Sequence, residues 1–395
     1  MKRLVLAITL MVSVPALHAA DADSLPGAFS GRLQWCAGVE VSGGLVPRTN
    51  RFLKGDNLTG QRVGGTLAKA LRADFSFNPD SRIGRLYRGV YQGVGVDVRS
   101  FFAGDLLGTP ASVYVYQGAP FMWFGDRLSL GYEWKFGAAM GWRHYDEEHF
   151  TENTAVSTSV TARMGLGLKL QYRLAPDWLM SLGVEATHFS NGNTSWPNGG
   201  VNAVGASLGI AYVINGDRDF KRYTDSSLEA EADRGRWFYD IVAYGAWRKR
   251  GIELNGEPVL CPGRFGIVGL QFAPMRRLNR WFATGVALGA QWDESAGLAP
   301  YWVENTHGEW LRFYRPPFGK QLSVGLSAHA ELTMPIFSVN VGLGYDFVNP
   351  HGDKAFFQSL TLKTFVTRRV FINTGYRLGR FQDPQNLMLG VGIRL

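Results

Sequence analysis

His188 and Ser190 stand two residues apart in a segment that alternates strictly, so a base and a nucleophile share one face of a β-strand. Read backwards from His188, that face carries Ala186, Val184, Leu182, Met180 and Trp178, all apolar. The other face carries Phe189, Thr187, Glu185, Gly183 and Ser181, mostly small or polar. A serine hydroxyl is a weak nucleophile until a neighbouring base takes its proton. The base in turn needs a third group to hold the useful imidazole tautomer. Asn202 is the candidate for that role, because it heads the next apolar series, Asn202, Val204, Ala206, Leu208, Ile210, Tyr212 and Ile214. Antiparallel pairing of the two segments would gather His188, Ser190 and Asn202 on one apolar face. The chemistry implied is acyl transfer through serine, with neither a cofactor nor a bound metal required.

The elements that must position these residues are strands. Leu128 to Trp142 places Leu, Leu, Tyr, Trp, Phe, Ala, Met and Trp on even positions, and Ser129, Gly131, Glu133, Lys135, Gly137, Ala139 and Gly141 on odd ones. Period two with one wholly apolar face marks a half-buried strand. Charges on the opposite face (Glu133, Lys135, Arg163, Glu185) do not suit a dry sandwich core. They suit a narrow barrel filled by ion pairs, with lipid outside. Eight such segments are predicted at 33–45, 66–77, 87–100, 109–123, 127–142, 158–174, 177–190 and 201–214. Eight more follow at 236–249, 264–273, 280–293, 320–334, 336–348, 356–367, 370–381 and 386–395. The 49 glycines and the 25 Phe, 15 Tyr and 12 Trp fit the small lumen groups and aromatic rims of outer-membrane barrels.

The predicted fold is all-β, as two tandem eight-stranded antiparallel barrels, with a single sixteen-stranded barrel as the alternative. The organisation expected is a signal peptide at 1–20, a first barrel at 21–214, a charged periplasmic linker at 215–235, and a second barrel half at 236–395 without a His-x-Ser motif. Met1-Lys2-Arg3 followed by an apolar run to Ala19-Ala20 carries the signal-peptide reading. The formal charge is +8, a mild excess that suits an anionic lipid surface and does not call for nucleic acid. The two cysteines, Cys36 and Cys261, fall at opposite ends of the predicted strands and are expected to stay unbonded. No oligomeric state follows from the sequence.

After His188-Phe-Ser190-Asn191, a Pro-Asn pair begins seven residues beyond Ser190, and Gly200-Val-Asn202 opens the next strand. This pattern resembles the lipid A 3-O-deacylases, outer-membrane enzymes that remove one acyl chain from lipopolysaccharide, over residues 33–214. The resemblance implies His188 as general base, Ser190 as nucleophile and Asn198 in an oxyanion hole with backbone N–H groups of the 191–193 turn. Asn191 and Trp196 become candidate substrate contacts, and lipid A in the outer membrane becomes the partner. The family has Glu where this chain has Asn202, so orientation of the imidazole is kept and charge compensation is lost. Other readings stay open: a barrel without activity, or a passive channel if sixteen strands close together. His144 to His149 reads as a solvated charged loop rather than a metal site. His329 and Glu331 read as an ion pair inside the second barrel, and 294–319 as an aromatic-rich loop.

Overall fold

The computed structural model describes residues 33–214, 235–254, 257–305, 308–350, 355–381 and 383–395. The expected signal peptide, and the charged linker apart from Gly235, lie outside them. The chain divides into two compact units. One holds described residues 33–191 and 197–214, and the other holds 235–395 together with the segment 192–196.

The first unit is a closed barrel of β1 (Gln34–Leu45), β2 (Gly65–Ser76), β3 (Tyr91–Ser100), β4 (Gly108–Phe124), β5 (Leu128–Trp142), β6 (Val160–Ala175), β7 (Trp178–Ser190) and β8 (Val201–Val213). Neighbours pair antiparallel, and β1 closes on β8 with Val39 opposite Ile210. The apolar series points outward: Leu182 and Val184 are 54% and 58% exposed, an exterior that only lipid can cover. Among the described residues no helix is long and apolar enough to cross a membrane. The crossing is made by strands, whose ladders satisfy every backbone group in a closed ring.

The lumen is filled rather than hollow. Lys135 Nζ reaches Glu40 at 2.8 Å and Glu185 at 2.6 Å, Lys169 Nζ reaches Glu40 at 2.6 Å and Glu133 at 3.1 Å, and Arg72 meets Glu133 at 2.6 Å. Each carboxylate is shared between cations, as desolvated charges require, and deleting one partner of such a network costs about 3–5 kcal/mol. Two lumen glycines make room for rings. A Cβ on Gly118 would lie 2.1 Å from the Tyr91 ring, and one on Gly95 would lie 2.4 Å from Tyr114.

The second unit contains β9 (Trp237–Arg248), β10 (Gly251–Leu254), β11 (Glu257–Leu260), β12 (Phe265–Arg277), β13 (Phe282–Asp293), β14 (Ala299–Asn305), β15 (Gly308–Tyr314), β16 (Leu322–Thr333), β17 (Phe337–Val348), β18 (Phe356–Phe365), β19 (Val370–Gly379), β20 (Asp383–Leu387) and β21 (Leu389–Arg394). The sheet runs β18-β17-β16-β13-β12-β9-β21-β19 and closes through β18 and β19. β20 extends the last strand beyond Met388 along β19. This is a second eight-stranded barrel, so the sixteen-stranded alternative is overturned, and with it the wide lumen that a passive channel needs. Closure of β1 on β8 leaves no edge in the first sheet for β9 to join.

Two local expectations are corrected. Segment 294–319 is not an irregular loop: β14 and β15 form a hairpin, with Tyr301, Trp302 and Tyr314 exposed. His329 does not pair with Glu331. Its Nδ1 meets Asn340 Oδ1 at 2.6 Å and its Nε2 meets Ser327 Oγ at 2.8 Å, while Glu331 takes Lys363 at 2.5 Å and Arg394 at 2.6 Å. A lysine and an arginine are the stronger counter-charges, and the imidazole is left to neutral partners. Cys36 and Cys261 are both buried, and neither is in a disulfide.

In both barrels long connections gather at one end. In the first they are 46–64, 101–107, 143–159 and 191–200, against 125–127 and 176–177 at the other end. The connection 77–90, at the short-turn end, is an exception that contains a five-residue helix, Arg82–Leu86.

Candidate active site

β7 reaches the long-loop end with its two faces in different surroundings. The lumen face ends on Phe189, fully buried, its ring 5.3 Å from Trp142 and 6.1 Å from Phe101. Those rings belong to a small core at the barrel mouth that also takes in Phe52, Leu53, Leu106, Leu107 and Val201. Burial of several large side chains, each contributing about 1.5–3 kcal/mol, makes the mouth a solid plug. The ends of β7 and β8 are thereby fixed from inside.

The outer face ends on His188, half-buried, with Asn202 directly across the ladder. His188 Nδ1 and Asn202 Oδ1 are 2.7 Å apart. A carboxamide oxygen only accepts, so Nδ1 carries the proton and Nε2 keeps its lone pair. That is the tautomer a general base needs. Ser190, 5% exposed, follows on the same face. Its hydroxyl meets the Asn198 carboxamide: Asn198 Nδ2 donates to Ser190 Oγ at 3.0 Å, and Oγ lies 3.3 Å from Asn198 Oδ1. The Asn191 N–H donates to Asn198 Oδ1 at 3.2 Å. Ser190, Asn191 and Asn198 thus form one hydrogen-bonded unit, and His188 and Asn202 form another on adjoining strand ends. Trp196 is half-buried within 192–196, the segment that groups with the C-terminal unit, whereas the other five residues group with the N-terminal one.

The connection that carries Asn198 is held by residues no motif reveals. Gly199 N–H donates to Thr154 O and Gly200 N–H to Ala155 O, both at 2.9 Å. Asn153 Oδ1 braces that loop by accepting from Ala155 and Val156 N–H at 3.0 Å. Asn50 Nδ2 donates to Gly200 O at 3.2 Å while its Oδ1 takes the Leu53 N–H at 3.0 Å, and Asn191 Nδ2 donates to Ser157 Oγ at 2.9 Å. Gly200 has φ +68°, and a Cβ there would stand 3.0 Å from His188 Cε1. The backbone therefore lies flat against the imidazole. A side-chain amide abundant in loops gives no pattern to search for; only Gly200, already part of the Gly-x-Asn signature, was open to notice.

Among the described residues no group of three or more His, Cys, Asp or Glu could hold a metal ion. In the 144–149 loop, Asp146 Oδ1 accepts from the Glu148 N–H at 3.0 Å and the His149 N–H at 2.9 Å, and lies 3.1 Å from His149 Nδ1. These bonds, the Glu148 N–H first, hold the Asp146 carboxyl below its ordinary value. The cluster closes a turn.

Residues 71–211 match the family described as lipid A 3-O-deacylase (PagL), and residues 237–395 match acyloxyacyl hydrolase, C-terminal domain. No curated protein matches the chain in sequence. Among solved structures, the outer membrane enzyme PagL is similar at 15% identity, covering 44% of this chain and 97% of its own, with a TM-score of 0.28. Neisserial surface protein A (NspA) is similar at 11%, covering 46% and 95%, with a TM-score of 0.26. The toluene transporter TbuX of Ralstonia pickettii is similar at 9%, covering 93% and 89%, with a TM-score of 0.17. With both of its barrels matched by deacylase-related families, the chain belongs to the lipid A 3-O-deacylase (PagL) family of outer-membrane hydrolases.

Proposed function

We propose that this chain is an outer-membrane serine esterase that removes an ester-linked acyl chain from lipid A. Ser190 is the nucleophile, His188 the base, and Asn202 the residue that orients it. The observation carrying this reading is the 2.7 Å bond from His188 Nδ1 to Asn202 on the outward face, with Ser190 one strand repeat away. That bond leaves Nε2 as an acceptor at the rim, where ester-linked acyl chains of an outer-leaflet lipid would lie.

In the reaction Ser190 Oγ attacks the ester carbonyl while His188 Nε2 takes its proton. The carbonyl oxygen becomes an oxyanion bonded to the carbon that Oγ has just joined. Asn198 Nδ2, 3.0 Å from Oγ at rest, needs only a small re-aiming to donate to it. Collapse expels the sugar alkoxide, which takes the proton from His188. Water, deprotonated by the same Nε2, then releases the acyl group from Ser190. Asn202 holds the tautomer throughout but offers no negative charge to the imidazolium.

Mass spectrometry of lipid A from cells carrying the chain or its Ser190→Ala form tests the proposal. Loss of one acyl mass with the parent chain alone, both forms being heat-modifiable and folded, is the expected result. Identical lipid A from both would leave a folded barrel without the reaction, the reading that Asn202 in place of Glu favours.

A further inference from the structure

At the long-loop end of the C-terminal barrel the lumen holds a cavity of about 90 Å³. A single water needs about 10–15 Å³ by the same measure, so the space admits a phosphate-sized group with water to spare. Three guanidinium groups line it, Arg248, Arg250 and Arg377, against two carboxylates, Asp293 and Asp346. Arg248 is paired with Asp293 and donates through Nε to Ser295 Oγ at 2.9 Å. Arg377 is paired with Asp346, donates through Nε to Gln385 Oε1 at 2.7 Å, and stacks 3.7 Å above the Phe357 ring. Both forks are therefore fixed in place before any ligand arrives. The Arg250 guanidinium makes no hydrogen bond or ion pair with a described residue, so the lining carries one positive charge in excess.

Deeper in the same lumen the charges balance. Asp240 and Glu331 face Lys363 and Arg394, two against two, all four joined by ion pairs. Among the described residues the excess lies at the cavity. The Arg250 guanidinium brings a planar set of N–H groups that match the oxygens of a phosphate, and Arg248 and Arg377, anchored by Asp293 and Asp346, keep further N–H groups beside it.

We infer that this cavity is an anion site that takes a phosphate group of the lipopolysaccharide substrate. Arg250 supplies the uncompensated charge, and Arg248 and Arg377 supply fixed donors. The inference rests on the deacylase reading for the identity of the molecule that carries the phosphate.

The test uses the full chain bearing Ser190→Ala, in detergent micelles, so that bound lipid A is not consumed. Affinity is measured for phosphorylated lipid A and for the same lipid A treated with phosphatase, with and without Arg250→Ala. Inorganic phosphate alone is titrated by calorimetry. Arg250 is half-buried and its side chain bonds no described residue, so its removal leaves the barrel folded. A lost charge-assisted contact weakens binding about tenfold. The expected result is that loss for phosphorylated lipid A and no change for the treated form. Equal affinity of the Arg250→Ala form for phosphorylated lipid A overturns the inference. So does inorganic phosphate binding through Arg250 while lipid A binding ignores it, which would make this a site for free phosphate. If phosphorylated lipid A binds through Arg250 yet the parent chain releases no acyl group, the deacylase reading falls and the anion site stands. If the parent deacylates and Arg250→Ala binds as well as before, the reverse holds.

Discussion

Asn202→Asp is the substitution that separates orientation from charge. The two side chains have the same shape, so the 2.7 Å contact to His188 Nδ1 is kept, and only the acceptor changes from a neutral amide to a carboxylate. A neutral hydrogen bond contributes about 0.5–1.5 kcal/mol and one between charged partners about 1.5–3 kcal/mol. The surplus of roughly 1–1.5 kcal/mol is realised only when proton transfer has made the ring an imidazolium, so it lowers the barrier and not the ground state. Direct Coulomb attraction at about 4 Å and an effective dielectric near 20 gives about 4 kcal/mol, an upper limit that the half-exposed rim screens downward. At 1.36 kcal/mol per factor of ten, the rate of acyl release rises by about five- to twelvefold. The assay is the initial rate of fatty-acid release from lipid A micelles, normalised to the folded fraction on unheated gels. An unchanged or slower rate from a fully folded Asn202→Asp protein would refute the role given to Asn202.

Two further outcomes follow from the geometry around that site. Gly200→Ala puts a Cβ 3.0 Å from His188 Cε1 at a φ of +68°; moving the ring by a few tenths of an ångström should lower the rate about tenfold while the barrel stays heat-modifiable, and an unchanged rate would show that the ring has slack. The lowered Asp146 carboxyl fixes a pH window: its contribution is fully present above the ordinary aspartate value of about 3.9 and is lost as pH falls through its lower folded value. Amide exchange at Glu148 and His149 should therefore quicken below that window, and Asp146→Asn should quicken it already at neutral pH; protection that ignores both changes would contradict the turn.

Period two in the sequence was enough to place most of the strands. The segment expected at 158–174 is Val160–Ala175, and that at 177–190 is Trp178–Ser190, because lipid on one side and charge on the other leave no freedom to slip by one residue. The same alternation could not say which strands close the ring. Closure is a pairing of residues far apart in the chain, and both eight and sixteen strands satisfy it equally. The hairpin of β14 and β15 hid because its aromatic residues alternate poorly with polar ones. In the site, His188 and Asn202 were legible as heads of two apolar series. Asn50 and Ser157 were not, since each acts through a single bond to residues 191–200, and neither was Asn153, which braces the 154–156 backbone that Gly199 and Gly200 bond; none of the three shares a periodicity with the site.

Two separate ring closures also shape how the chain can be assembled. β1 meets β8 through pairs such as Val39 and Ile210, and β9 meets β21 through pairs such as Ile241 and Ile393. Each ring is complete within its own stretch of chain, so the first sheet has no open edge once residue 213 is in place. The entropy saved by halving the span is small, about 0.6 kcal/mol per factor of two. The larger gain is kinetic, because an unpaired strand edge is a template for pairing with other chains. A sixteen-stranded sheet would carry two open edges until its last strand arrived. Here each ring closes its edges with strands of its own stretch of chain, so neither sheet has to wait for strands of the other to lose its open edges.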